Sequence, residues 1–409
     1  MYQPVTQVHV SLEEGDRVQV VGRLAFIKRR IYFEYSSDFV HSGLELSPFI
    51  LPLSTKTYCA ESQPFGGLFG LFNDCLPDGW GRLLLDRQLR AQSIAPETLS
   101  PLDRLTHVGR FGMGALTYEP DTSERHEYAE SVNLEKLAAA AAQVLEGSTD
   151  DVFPELLELS GSSCGARPKV LVGLSIDKKR LIHGKQLLPD GYAHWLVKFA
   201  ASHDQKDIGA IEYAYSQMAN ASGVEMMPTH LFPAKNGSGF FGVQRFDRIG
   251  NNRIHMHSLS GLLQTDHQLP SLDYKDAMKA ALSLTRNMKE TTKIFRMAAF
   301  NVLAHNRDDH AKNFAFLMDE RRQWRVSPAF DLTFASGPGG EHCTTIMGEG
   351  RNPTRSHLEA LAHTFGIKKS TTREIIDRIQ DAIALWPKFA SEAGVRRTSM
   401  NAIRRTLES

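Results

Sequence analysis

Cysteine is scarce in this chain. The 409 residues hold four, at Cys59, Cys75, Cys164 and Cys343, and no C-x-x-C pair. That excludes a disulfide framework and a cysteine zinc site, and leaves reduced thiols in a cytoplasmic protein as the expectation. No charge of one sign dominates either, since 47 basic side chains face 47 acidic ones. Binding to nucleic acid or an anionic membrane through net charge alone is therefore excluded, whereas a local basic patch is not. Long apolar runs are also missing. The most apolar helical stretch, Leu134 to Leu145, is Ala-rich and falls well short of the ~20 residues that span a bilayer. Gln7, Glu13, Glu14 and Asp16 interrupt the first twenty positions, so no signal peptide is expected. Repeats at spacings of about 20–50 residues and low-complexity tracts are absent as well. What remains is ordinary globular composition, 42% hydrophobic and 23% charged. At ~150 residues per domain it suits two or three domains or one bilobal unit.

Residues Arg17 to Tyr35 read as a β-hairpin with Lys28-Arg29-Arg30 as its polar tip. Leu76-Pro77-Asp78-Gly79-Trp80-Gly81 is dense in turn residues and leads into a helix, Arg82 to Arg90. Polar stretches at Asp121–Ser131 and Gly147–Asp151 read as connections, and the second marks the main boundary. Strands are expected over Val170–Ser175 and His194–Phe199, then a helix over Ile211–Ala221. Leu231–Phe246 returns to strand around an Asn236-Gly237 turn. Helical periodicity dominates from about Asp273 onward.

The stretch richest in chemistry is Asn301-Val-Leu-Ala-His-Asn306-Arg307-Asp308-Asp309-His310-Ala311-Lys312-Asn313. An apolar helix, Ile294 to Leu303, runs into this polar loop, and a hairpin over Phe314–Met318 and Trp324–Val326 follows. Ser327-Pro328-Ala329-Phe330-Asp331-Leu332 comes next. Phosphoryl transfer by a protein kinase needs that order: one Asp to accept the hydroxyl proton, then an Asn and a second Asp to hold magnesium. Asp308 and Asn313 meet the D-x-x-x-x-N spacing, and Asp331 sits where the second Asp belongs. The spacing alone recurs by chance in acidic loops; the hairpin and the placed second Asp do not. Lys198 ends an apolar strand as a phosphate-contacting lysine would, on the side of Leu196 and opposite Trp195, Val197 and Phe199. Glu212, in the next helix, is its candidate partner, although a solvated helix-face glutamate is the commoner case. The Gly/Ser-rich segment Ser160–Lys169 precedes that strand as a loop able to approach phosphate, with Arg167 and Lys169 adding charge. Gly242–Arg248 lies between the two halves, where a purine would need backbone donors and acceptors.

In order, S-S-C-G-A-R-P-K, W-L-V-K-F, V-Q-R-F-D-R, N-R-D-D-H-A-K-N-F and S-P-A-F-D-L resemble the signatures of HipA-type toxin kinases. L-P-D-G-W-G-R and H-V-G-R-F-G-M-G-A-L, further upstream, are similar to that family's N-terminal subdomain. The resemblance implies an α+β, bilobal protein-kinase-like fold with a β-rich N-terminal subdomain over 1–150. A mixed N-lobe over 151–248 and a mostly helical C-lobe over 249–409 complete it. It further implies a serine/threonine kinase using ATP and magnesium, the toxin of a type II toxin–antitoxin pair. The implied partner is a small helix-turn-helix antitoxin of HipB type, with DNA contacted only indirectly through it and no membrane. Family substrates are proteins and include an aminoacyl-tRNA synthetase.

Carried onto this sequence, Asp308 becomes the catalytic base, and Asn313 and Asp331 the magnesium ligands, both also contacting ATP. His310, Ala311 and Lys312 line the nucleotide site with them. Cys164, Gly165, Ala166, Arg167, Pro168 and Lys169 form the phosphate loop, and Lys198 contacts phosphate. Gln244, Arg245 and Phe246 form the adenine hinge, with Asp247 near the ribose. Ser162 takes the autophosphorylation position. Two departures stand out: Cys164 replaces a small residue, and His255-Met256-His257-Ser258-Leu259 replaces a more acidic or amide-rich sequence. Rival readings are a small-molecule phosphotransferase, a catalytically inactive HipA-like binding module, and a metal-dependent hydrolase using His305, Asp308, Asp309 and His310. Arg396, Arg397, Arg404 and Arg405 make a basic C-terminal segment, better read as a solvated helix face than a DNA contact.

Overall fold

Alternation of apolar and polar side chains builds the first sheet. In β1 (Gln7–Glu14) Val8, Val10 and Leu12 point inward, and Ile31, Phe33 and Tyr35 do so in β3 (Arg30–Tyr35). Between them β2 (Arg17–Ile27) pairs antiparallel with both. The expected hairpin is present. Its turn is Lys28-Arg29, both at positive φ (49° and 63°), as the twist of a two-residue hairpin requires. Strand β1 was not expected: Gln7, Glu13 and Glu14, which break the apolar run, are largely its outward positions. With β4 (Tyr58–Cys59) and β5 (Leu116–Glu119) the strand order is β4-β3-β2-β1-β5. Short helices at Ser37–Ser42 and Gly70–Asn73 close the inner face with aromatic rings. Phe33 lies 4.9 Å from Phe72, and Tyr35 stacks on Phe39 at 5.7 Å, centroid to centroid.

The computed structural model describes residues 3–123, 131–147, 154–160, 165–184, 187–202, 204–235 and 237–408. Ser162, Cys164 and Asn236, together with parts of both polar connections, lie outside them. The chain forms two compact units. One is Met1–Asp204 with Gly242–His257 and Gly261–Gln264; the other is Gln205–Phe241 with Ser258–Ser260 and Thr265–Ser409.

The first unit holds a second antiparallel sheet of β6 (Lys169–Ser175), β7 (Leu181–His183) and β8 (Tyr192–Lys198), in the order β7-β6-β8. Central β6 is buried at every position, as a strand covered on both faces must be. Gly242–Gln244 runs along β8, where the Arg245 N–H donates to the His194 carbonyl at 2.9 Å.

The second unit is mainly helical. Ile208–Ser222 packs Tyr215 against Trp386, 5.4 Å between ring centroids. Met288–Leu303 starts at Asn287, whose side chain accepts the Lys289 N–H, and buries Ile294, Phe295, Ala298 and Val302 at helical spacing. The hairpin Ala315–Met318 and Trp324–Val326 follows, then Arg355–Thr364, Lys369–Ala384, Trp386–Glu392 and Arg397–Leu407. Asp207 caps the last helix, accepting from the Arg396 N–H (2.8 Å) and the Ser399 hydroxyl (3.1 Å). Among the described residues no helix is long and apolar enough to cross a membrane.

Candidate active site

In the second unit, the helix Met288–Leu303 ends at Ala304, and His305 turns the chain with φ 52°. The loop then divides two adjacent acids. Asp308 is exposed, whereas Asp309 has no accessible surface. The Asp309 carboxylate accepts from the Tyr274 hydroxyl (2.8 Å), the Cys343 N–H (2.9 Å) and the Thr344 N–H (3.3 Å), and lies 2.9 Å from His342 Nδ1. Its carbonyl accepts from the Thr344 hydroxyl at 2.6 Å. The network continues inward. Asn306 Nδ2 donates to Asn301 Oδ1 and Asn301 Nδ2 to the Tyr274 oxygen, both at 2.9 Å. Tyr215 donates its hydroxyl to the Ala304 carbonyl at 2.8 Å. Asn306 Oδ1 is left buried without a partner, and the remaining bonds of this network tie the loop to the helix before it and to Tyr274.

That frame presents Asp308 outward. Asn313 ends a short turn, Ala311–Asn313, and its Nδ2 donates to the Asp308 carbonyl at 2.8 Å. The amide nitrogen is thereby committed, and the oxygen is the atom Asn313 can offer a cation. His310 Nδ1 is buried without a hydrogen-bond partner, its ring against His267. Asp331 sits at φ 56°, a left-handed conformation that Asp tolerates better than most residues. Carboxylate and amide oxygens suit a hard cation such as magnesium, and the orphaned imidazole nitrogen suits a polar ligand, so these residues fit a magnesium-bound nucleotide. The hydrolase alternative fares worse: among the described residues no three His, Cys, Asp or Glu side chains are grouped to hold a metal. Glu212 is buried, not solvated, in the helix Ile208–Ser222.

In the first unit, Lys169 and Lys198 are direct cross-strand partners on β6 and β8. Side chains directly opposite on neighbouring strands lie within reach of one another. Lys169 is 3% exposed. Just before it, the Gly165 N–H donates to Asp78 and the Gly165 carbonyl accepts from the Trp80 N–H at 3.0 Å. Trp80 Nε1 donates to the Ser160 hydroxyl at 3.0 Å. A Cβ on Gly79 would stand 2.7 Å from the Gly165 oxygen, so only glycine permits this approach. The Asp78-Gly79-Trp80 turn therefore holds the described end of the segment expected to be the phosphate loop, a contact that turn composition alone could not have assigned. Arg167 grips Asp204 with two nitrogens (3.1 and 3.2 Å). In the segment expected to be the hinge, the Asp247 carboxylate is fully buried. It pairs with Arg245 (2.7 Å) and Arg248 (2.8 Å) and accepts the Gly114 N–H at 2.8 Å. Those cations hold it well below the usual carboxylate range against the opposing effect of burial. Its side chain is thus an interior ion-pair centre, with no surface of its own to offer a ribose, and the Arg245 guanidinium beside it is likewise buried.

Sequence models of two domains match the chain: the HipA N-terminal domain over residues 12–119 and the HipA-like C-terminal domain over 161–386. The chain belongs to the HipA family. The structure of the Shewanella oneidensis MR-1 HipA, solved with HipB and operator DNA, superposes with a TM-score of 0.65. It covers 97% of this chain and 94% of that one at 16% identity, which shows the shared kinase-like α+β fold. The kinase-named protein Y4dM of Sinorhizobium fredii is 21% identical over 211 residues. That match takes in 47% of this HipA-family chain and spans about half (51%) of the relative's length. The Helicobacter pylori proinflammatory kinase CtkA overlaps 53% of the chain at a TM-score of 0.33, too low to carry an argument.

Proposed function

We propose that this HipA-family chain is a cytoplasmic, magnesium- and ATP-dependent serine/threonine protein kinase, the toxin of a type II toxin–antitoxin pair. The observation that carries the reading is the catalytic loop: an exposed Asp308 mounted on a frame bolted down by its buried neighbour Asp309. Mg-ATP, when bound, supplies the γ-phosphoryl group. Asn313 and Asp331 would hold the metal, and Lys169 and Lys198 would meet phosphate charge. Asp308 orients the acceptor hydroxyl and takes its proton as the oxygen attacks. The hinge Gln244–Phe246 would meet adenine through its backbone, because the Arg245 and Asp247 side chains serve the interior. A HipB-like antitoxin is the proposed partner, a role supported by the complex in which the Shewanella protein was solved. A protein of translation, such as an aminoacyl-tRNA synthetase, is the proposed substrate class, and Ser162 the proposed autophosphorylation site.

The test is transfer of labelled phosphate from ATP to the chain itself, with Asp308→Asn as the blank and phosphopeptide mapping of the product. Label on Ser162 in the wild type and none in the variant supports the reading. Equal labelling of both proteins refutes Asp308 as the base, and no labelling of either favours an inactive binding module. Expression without an antitoxin should slow growth, and Asp308→Asn should relieve it.

A further inference from the structure

A cavity of about 210 Å³ lies wholly within the first unit, where residues of β1, β6 and β8 meet the segment after the hinge. Among the described residues, neither the lysine pair nor the expected phosphate loop lines it, and Arg245 alone is shared with the expected hinge. Four guanidiniums, of Arg110, Arg245, Arg248 and Arg253, face one wall carboxylate, Glu13. Behind them stands Asp247, paired with Arg245 and Arg248. Among the described wall residues and Asp247, four positive charges stand against two negative ones, with Glu119 and Asp121 also acting on Arg110, which bonds Glu13 at 2.7 Å. Backbone carbonyls take up the hydrogen bonds: Gly114 accepts from Arg248 and Arg253 at 3.0 Å, and Gly112 from both at 3.1–3.2 Å. These carbonyls satisfy N–H groups without carrying net charge. Burial pushes the Arg248 guanidinium well below its ordinary value, with Arg245 adding repulsion, and burial lowers Arg253 too.

Arg245, Arg248 and Arg253 are the buried ones; buried cations that outnumber their carboxylates are costly, and an anion relieves that cost. The remaining wall is apolar, with Phe111, Leu171 and Leu187. His194 Nδ1 faces the Gly184 carbonyl at 3.1 Å, and burial ahead of the nearby arginines holds the imidazole down at about 4, so it is neutral near pH 7. It therefore adds no charge of its own. A ligand matching both walls is small, doubly negative at one end and apolar at the other.

We propose that this cavity binds a small phosphate monoester, with its phosphate among the arginines and its organic part against Phe111, Leu171 and Leu187. Guanidinium forks favour phosphate over a single-atom anion because their paired N–H groups match its oxygens. The site is independent of the kinase reading.

Calorimetric titration with phenyl phosphate at fixed ionic strength tests it, with inorganic phosphate and phenol as half-ligands. Wild type should bind phenyl phosphate tighter than inorganic phosphate, and phenol not measurably. Arg110→Gln removes a half-exposed cation of the wall and should weaken binding about tenfold or more. Glu13→Gln removes the opposing carboxylate and should tighten it several-fold. Lys198→Ala, at the separate lysine pair, should leave it unchanged. Opposite shifts in the Arg110 and Glu13 variants cannot arise from a general loss of folding. No binding by the wild type, equal affinity in both wall variants, or loss of binding in Lys198→Ala overturns the assignment.

Discussion

Adjacent aspartates with opposite environments give a sharp test of the loop. Replacing Asp309 by Ala leaves the Tyr274 hydroxyl and the Cys343 and Thr344 N–H groups without their buried acceptor and His342 without its partner. Each orphaned donor costs about 1–3 kcal/mol, and breaking a buried charged network costs about 3–5 kcal/mol in all. Asp309→Asn should cost less, about 1–2 kcal/mol. The amide oxygen can stay toward the two backbone N–H groups, which cannot adapt, while His342 can change tautomer to accept from the new NH₂. Only the bond with Tyr274 is then set donor against donor. Asp308→Asn, on an exposed side chain, should move stability by no more than ~0.5 kcal/mol while phosphoryl transfer falls ~10²–10⁴-fold. Urea unfolding and transfer assays on the three variants measure both axes. Should Asp309→Ala unfold at the wild-type urea midpoint, or Asp308→Asn lose several kcal/mol, the division of labour is wrong.

Three further outcomes follow from the geometry. Asp331→Asn keeps a residue that tolerates φ 56° and removes the charge proposed to bind magnesium. It should retain its melting temperature yet lose the magnesium-dependent part of the stabilisation by ATP; an undiminished shift argues against Asp331 as a ligand. Asp78→Ala removes the acceptor for the Gly165 N–H and should weaken ATP binding several-fold by calorimetry, with unchanged affinity counting against a positioning role. His194 is held at about 4 in the folded chain against an ordinary value of 6.5, so between those pH values the unfolded chain binds the extra proton. Stability therefore rises with pH through that window and is lost as pH falls, by up to about 3 kcal/mol from this residue. His194→Gln should flatten the dependence of melting temperature on pH between 6.5 and 4, and an unaltered slope would exclude His194 as its source.

Much of the fold was legible because periodicity and turn chemistry act locally. The hairpin Arg17–Tyr35 and strands β6 and β8 lie where their patterns put them, within a few residues, and the helix before the Asp308 loop ends at Leu303 as expected but begins earlier, at Met288 rather than Ile294. The Lys198 side was legible too: Leu196 and Lys198 are half-buried while Trp195 and Val197 are buried. What stayed hidden depends on distant partners. Nothing near Asp309 in sequence tells it from Asp308; Tyr274 and His342, each more than thirty residues away, make the difference. Arg245 and Asp247 read as hinge residues for the same reason, since Gly112 and Gly114, which complete their network with Arg248, come from the first sheet's side of the chain. The D-G-W turn could be seen as a turn but not as the seat of Gly165.

The departure His255-Met256-His257 shows how environment overrides motif. His257 Nδ1 lies 2.6 Å from Asp74 Oδ2, and its Nε2 lies 3.0 Å from the Ser47 hydroxyl. Those are the spacings of a serine-hydrolase relay, in which a base activates a nucleophile and an acid orients the base. Burial decides against that chemistry. Ser47 and His257 have no accessible surface and Asp74 is 3% exposed, so no acyl group can reach the hydroxyl. The same bonds make a clamp, joining two distant loops through one imidazole, while the neighbouring His255 Nε2 lies 3.1 Å from the Leu46 carbonyl. Gly261 belongs to it as well, because a Cβ there would stand 2.5 Å from the Asp74 carboxylate. His257→Ala deprives a buried carboxylate of its imidazole and should lower stability by about 3–5 kcal/mol, read from the urea midpoint. His257→Gln can still donate to Asp74 and should recover part of that loss. Esterase activity toward an activated ester that vanishes in Ser47→Ala would refute the clamp, because it would require a path to Ser47 that the packing closes.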